Sequence, residues 1–351
     1  MRAKNIASSL IYLALFVLFL AVYGQDNTSK LYPVVKNGKW GYIDKTGQIV
    51  IRPQFDLALE FHGEFAQIGL NKKYGFIDRT GKITVKPQFD IATPFSQGLA
   101  GVSVNGKAGF IDRTGRFVIK PQFESTGFSS FDQEVGLAMV SHEGKYGFID
   151  NTGQFIIKPQ FDLTRGWSEG LNPVVAGQKW FYIDKTGQAV IKPQFDDAAS
   201  FSENLAAVQI GRKWGYIDKT GKVVIAPQFD KAGDFSEGLA VVEVEEKWGY
   251  INRQGEFAIR TDFYNAWPFV NGLAPVMLEP SRQYAIPDGT VIENVGNKWG
   301  YIDKTGKVTL KVEGLTDGIG DFIDGIAKIE FKDERIGYID RTGRYIWGPT
   351  K

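Results

Sequence analysis

Lys213-Trp214-Gly215-Tyr216-Ile217-Asp218-Lys219-Thr220-Gly221 is one copy of a unit that recurs along the chain, and its period decides the fold. Marked by the acidic turn residue, the copies fall at Asp44, Asp78, Asp112, Asp150, Asp184, Asp218, Asn252, Asp303 and Asp340. They are separated by 34, 34, 38, 34, 34, 34, 51 and 37 residues. A period of this size belongs to stacked repeats, in which each unit buries its apolar faces only against its neighbours. It also dilutes any active site, because chemistry is carried by a unique constellation and these are near-copies.

Residues 205–239 show the unit without interruption. Leu205 to Ile210, Lys213 to Asp218 and Lys222 to Phe229 read as three short strands. Turns such as Asn37-Gly38 and Asn105-Gly106 join the first two, since both residues tolerate positive φ. The second and third are joined by Asp-Lys-Thr-Gly, with Asp44 or Asp218 opening the turn and Gly47 or Gly221 in the left-handed position. Pro53, Pro87, Pro121, Pro159, Pro193 and Pro227 share one repeat position, and a proline cannot donate to a central ladder. The third strand is therefore expected at a sheet edge.

Trp40 and Tyr42 alternate with Gly41 and Ile43, so the rings share one face and glycine opens the other. Trp40, Trp180, Trp214, Trp248 and Trp299 are accordingly expected in the packing between units. The connector Phe229 to Leu239 shows no alternation and is expected to fold over the sheet end with Phe229 and Phe235 as plugs. The resulting fold class is all-β: nine three-stranded antiparallel meanders stacked face to face. Periodicity leaves open whether they close into a propeller-like ring or run as an open solenoid. Residues 279–294 form an irregular insertion and the one candidate break. Trp347 and Pro349 suit a terminal cap.

Lys39-Trp40-Gly41, Lys213-Trp214-Gly215, Lys247-Trp248-Gly249 and Lys298-Trp299-Gly300, each followed by Tyr-Ile-Asp or Tyr-Ile-Asn, resemble the bacterial WG (KWG) repeat family over about Leu31 to Pro349. Tyr74, Ala108, Tyr146 and Ile336 depart from the tryptophan and Phe181 from the glycine. The resemblance implies a β-rich repeat without an agreed activity and without a catalytic signature to carry over.

The N-terminus reads as an export signal: Arg2 and Lys4 precede an apolar run from Leu10 to Val22, too short to span a bilayer. Residues 1–24 are expected to be removed, leaving a single array over 25–351 that is secreted, periplasmic or at the cell surface. An uncleaved anchor is the alternative, since Ile6 to Ser9 could lengthen the span. The chain has no cysteine, which removes disulfides, thiolate metal sites and cysteine nucleophiles. The leader holds two of the 41 basic and none of the 40 acidic residues, so the remainder is nearly neutral. Nucleic-acid binding, which needs a clustered basic excess, is disfavoured.

His62 and His142 lie at non-equivalent repeat positions, which argues against shared acid–base work. Each turn supplies one carboxylate, whereas calcium takes about 6–8 oxygens. Asp196-Asp197 and Glu245-Glu246 point to alternate faces if extended. No catalytic, cofactor or metal residue is nominated. Trp167 and Trp267, in connectors, are the candidate surface-binding residues. The expected function is an exported, non-enzymatic binding or scaffold surface for another protein. A glycan- or cell-wall-binding module using those two rings is the alternative, and an enzyme with unidentified carboxylates the remote one.

Overall fold

The computed structural model describes residues 30–127, 130–280, 282–285, 291–295, 297–331 and 333–350. The leader, and with it the expected cleavage site, lies outside them. Residues Leu31–Lys351 form one compact unit, all-β among the described residues, in which nine small antiparallel blades stand in a closed ring.

The seventh blade shows the pattern: Lys231–Ser236, Leu239–Val244, Lys247–Ile251 and Phe257–Phe263 pair in that order. Most units therefore have a fourth strand beyond the three expected, while the first and fourth blades keep three. The connector supplies the additional one, which in several blades is only two residues long, as in Ile91–Ala92 and Asp197–Ala198. Phe229 and Phe235 are both buried, as expected of plugs. The proline-bearing strand is the outer one in every regular blade.

Both turns form as their residues dictate. Asn37 and Gly38 take φ of 53° and 70°. In the Asp218 turn one carboxylate oxygen accepts from Thr220 N at 2.9 Å, Thr220 Oγ1 at 2.6 Å and Lys222 N at 3.1 Å. Gly221 N closes the turn on the Asp218 carbonyl at 2.9 Å, with φ of 84°. The hydrogen bond from Thr220 holds the Asp218 carboxyl below its ordinary range.

The glycine of the Trp-Gly pair answers the proline. Trp214 pairs with Phe229 and Tyr216 with Ile225, so the outer strand bulges by two residues around Pro227. A Cβ on Gly215 would lie 2.5 Å from the Ile225 carbonyl oxygen and 2.7 Å from Pro227 N. Phe181 keeps the same register, with its ring set edge-on to Phe161 of the preceding blade.

The tyrosine joins one blade to the next. Tyr42, Tyr182, Tyr216, Tyr250 and Tyr301 are fully buried. Each hydroxyl donates to a connector carbonyl of the following blade: Leu59, Ala199, Gly233, Trp267 and Gly320. Each ring also meets that blade's plug, as Tyr216 meets Phe235 at 4.9 Å. Such a hydroxyl, removed from water, needs its acceptor.

The same device closes the ring without a shared strand. Tyr338 of the ninth blade donates to Pro33 of the first, Thr350 Oγ1 donates to the Val35 carbonyl, and Tyr32, Val34 and Ile43 pack with Ile326 and Ile336. Trp347, expected in a terminal cap, lies against this seam. The insertion does not break the array: Arg282–Ala285 pairs with Val291–Val295 as a hairpin that prolongs the turn of the eighth blade. The eighth copy lacks the proline, and its strand Val308–Ile319 runs on to pair with the ninth blade, joining both in one sheet.

Candidate interaction surfaces

The structure divides the tryptophans differently from the sequence. Trp180 and Trp299 are buried, whereas Trp40, Trp214 and Trp248 are half-buried at the edges of the inter-blade clusters. The residue at one connector position decides which. Arg165 lays its guanidinium 4.8 Å from the Trp180 ring, and Trp267 packs on Trp299 at 5.0 Å. The corresponding residue for Trp214 is Ala199 and for Trp248 is Gly233, both too small to cover a ring.

Neither candidate surface ring is freely exposed. Trp167 occupies the plug slot, as the run Ser168-Glu169-Gly170-Leu171 matches Ser236-Glu237-Gly238-Leu239 after Phe235. Its ring is half-buried, 5.2 Å from Phe148, and its Nε1 has no hydrogen-bond partner among the described residues. Trp267 is half-buried, its carbonyl accepting from Tyr250 and its N–H donating to the Pro275 carbonyl at 3.1 Å. His142 is exposed in its hairpin and His62 half-buried in another blade.

Sequence reasoning passed over the charged groups beside the plugs. Asp234 and Asp321 each precede a plug phenylalanine, and burial pushes both carboxyls up to about 6, with the positive charge of Arg165 opposing the rise at Asp234. Arg165 pairs with Asp197 at 2.6 Å, while the adjacent Asp196 pairs with Lys179, so the two neighbouring aspartates serve separate partners. On the turn side of the ring, Glu169 accepts from Asn204 N and pairs with Lys219 at 3.0 Å. Glu203 with Arg253 and Glu237 with Lys304 repeat that bracket between adjacent blades. Among the described residues no group of three or more acidic or histidine side chains is placed to hold a metal ion.

One set of side chains is only partly used by the fold, Phe117, Phe155 and Phe257 touching Phe89, Phe123 and Phe229 edge-on. Each outer strand opens with apolar residues that do not enter the core: Ile49, Val50, Ile83, Phe117, Val118, Phe155, Ile156, Val190, Val223, Val224, Phe257 and Tyr345 are 37–50% exposed. They recur in eight of the nine blades and form a belt around the rim. Beside them Arg52, Lys86, Lys120, Lys158, Lys192, Arg260 and Lys311 are exposed and enter no ion pair among the described residues. The lysines one strand inward differ: Lys39, Lys73 and Lys213 pair with Asp56, Asp90 and Asp230.

Nine antiparallel blades closed by packing of the last on the first define a nine-bladed β-propeller built from sequence repeats. The family model described as WG containing repeat matches eight times, over residues 40–74, 74–107, 109–146, 146–180, 180–214, 214–248, 248–279 and 299–334, so this chain belongs to that family. No curated protein matches the sequence. Among solved structures, a crystal structure described as the eukaryotic initiation factor is similar at 11% identity and a TM-score of 0.67, covering 93% of this chain and 96% of that one. BamB from Moraxella catarrhalis is similar at 11% identity, a TM-score of 0.44 and coverage of 88% and 96%. The C-terminal WD40 domain of Sif2 follows at 8% identity, 0.46 and coverage of 89% and 99%. At these identities the likeness concerns the fold alone.

Proposed function

We propose that this protein is a non-enzymatic scaffold that binds another protein through the rim of its ring, and that it works outside the cytoplasm. The observation that supports the reading is the belt: apolar side chains still 37–50% exposed at the same place in eight blades, even where Phe117, Phe155 and Phe257 touch Phe89, Phe123 and Phe229 of the preceding blade. Single exposed apolar residues are ordinary, but the same position left exposed in blade after blade supports an interaction site. The glycan reading has less support, since Trp167 and Trp267 are half-buried and each packs against one neighbouring ring, Phe148 and Trp299. The part of the proposal that concerns export rests on Arg2, Lys4 and the run Leu10 to Val22.

Capture from native envelope extract and culture medium tests the reading. The mature chain is expected to retain a protein that a V50S/V118S/I156S/V190S variant of unchanged melting temperature loses. Equal capture by both would remove the rim from consideration. Sequencing of the native N-terminus is expected to start near Gln25, and an intact Met1 in a cytoplasmic fraction would overturn export.

A further inference from the structure

We infer that the segment held at the rim is extended and acidic, its carboxylates alternating with apolar side chains; this rests on the scaffold reading above. In the outer strand Phe117–Phe123, Val118 and Lys120 stand two residues apart and so project from the same face of the pleat. Val50 with Arg52, Ile156 with Lys158 and Val190 with Lys192 repeat the arrangement. In the first blade Ile49, Val50, Arg52 and Pro53 form an open groove with Lys36 and Lys39. The carboxylates nearest the rim, such as Asp56 and Asp90, are already bound to the inner lysines and to backbone N–H groups of the neighbouring hairpins. Lys120, Lys158 and Lys192 make no ion pair among the described residues and have no carboxylate on their own strands, unlike Arg260, which shares its strand with Asp262. An extended chain with the same two-residue alternation and the opposite charge satisfies these lysines and the apolar side chains beside them at once.

Charged residues and proline on an edge strand also keep sheets from pairing edge to edge, and either sign of charge does so. Charge reversal therefore separates that role from recognition. The full mature chain, a K86E/K120E/K158E variant and a V118S/I156S variant are titrated by fluorescence anisotropy against a labelled peptide alternating glutamate with valine. The corresponding lysine–valine peptide and vesicles of anionic phospholipid serve as the other arms. The glutamate–valine peptide is expected to bind the parent, to weaken at least about tenfold on charge reversal and to weaken further as salt rises. The lysine–valine peptide is expected to prefer the reversed variant, with elution volume and melting temperature unchanged throughout.

Acidic-peptide binding that is absent, or indifferent to charge reversal, would overturn the inference, as would vesicle binding without peptide binding. A Lys→Ala trio at the same positions gives the same readout if reversal impairs folding. A partner captured from extract that V118S/I156S loses and K86E/K120E/K158E keeps would sink the acidic segment and leave the scaffold reading standing.

Discussion

The Tyr338 hydroxyl donates to the Pro33 carbonyl at 2.8 Å across 305 residues of sequence. It makes the junction of the ninth and first blades the same as that made by Tyr216 on Gly233. Removing the hydroxyl leaves a buried carbonyl without its donor, so Tyr338→Phe should destabilise by about 1–2 kcal/mol. Tyr216→Phe should cost a similar amount. Denaturant midpoints of the two variants check this, and a Tyr338→Phe midpoint equal to the parent's would show that the hydroxyl does not seal the ring.

Gly47 carries a second consequence of closure. Its φ is 87°, and a Cβ there would lie 2.4 Å from the Ile346 carbonyl oxygen of the ninth blade. Gly38 also has positive φ, at 70°, but open space around it. Gly38→Ala should therefore cost about 1 kcal/mol through backbone strain alone, and Gly47→Ala more than about 3 kcal/mol because strain and a backbone clash combine. Equal midpoints for the two variants would place the first turn away from the ninth blade.

What was legible in the sequence is what one residue settles locally. The positive φ of Gly221 and the edge position of Pro227 follow from a missing Cβ and a missing N–H, and both are found. The fourth strand was not legible because a stretch as short as Ile91–Ala92 has no period to detect, and in the longer Lys231–Ser236 a bulge between Ala232 and Phe235 breaks the alternation. Closure was not legible either, since it depends on the angle between blades, and its contacts, such as Trp347 on the seam, join distant residues. Trp167 was assigned to the surface although the Ser-Glu-Gly-Leu run after it gives its register. The rim was hidden because Val118 and Lys120 look like ordinary strand residues until the core has chosen its side.

Stability should rise on mild acidification. Asp234 and Asp321 have carboxyls raised from 3.8 to about 6, so they hold a proton more tightly in the fold than in the unfolded chain. Their contribution is fully present below the unfolded value and is lost as pH climbs through the folded one. Asp44 and Asp218 are shifted the other way by their threonine hydrogen bonds, so theirs is present above the unfolded value and lost as pH falls below it. Urea midpoints should therefore increase from about pH 7.5 to about pH 5 and decline below about pH 4. A D234N/D321N variant should be more stable than the parent at the higher pH and lose the rise; a parental midpoint that is flat or falling over that first interval would refute the assignment.

Trp167→Phe restores the plug residue found in the other blades and removes an indole N–H that has no partner among the described residues. The change trades a little packing on Phe148 for relief of a desolvated donor, so stability should stay within about 1 kcal/mol of the parent. A midpoint loss well beyond that would mean the indole nitrogen is bonded in solution and that the site has a use for it.

Trp267 and Trp214 reverse the expectation drawn from the repeat. The sequence sets Trp214 in the stacking face and Trp267 at the surface. The structure leaves Trp214 half-buried beside Ala199, whereas Trp267 lies 5.0 Å from Trp299 and helps to bury that ring to 2% exposure. Truncating Trp267 removes its own packing and also opens Trp299, whose Nε1 is already without a partner among the described residues. Trp267→Ala should therefore cost about 3–5 kcal/mol, and Trp214→Ala, which deletes a ring already half in water, about 1–3 kcal/mol. Denaturant midpoints give the order of the two. Capture of a partner by the folded fraction should be unchanged in both, because neither ring belongs to the rim. If Trp267→Ala instead keeps the parental midpoint and loses the partner, the anchor lies in the connector and the belt is not the binding surface.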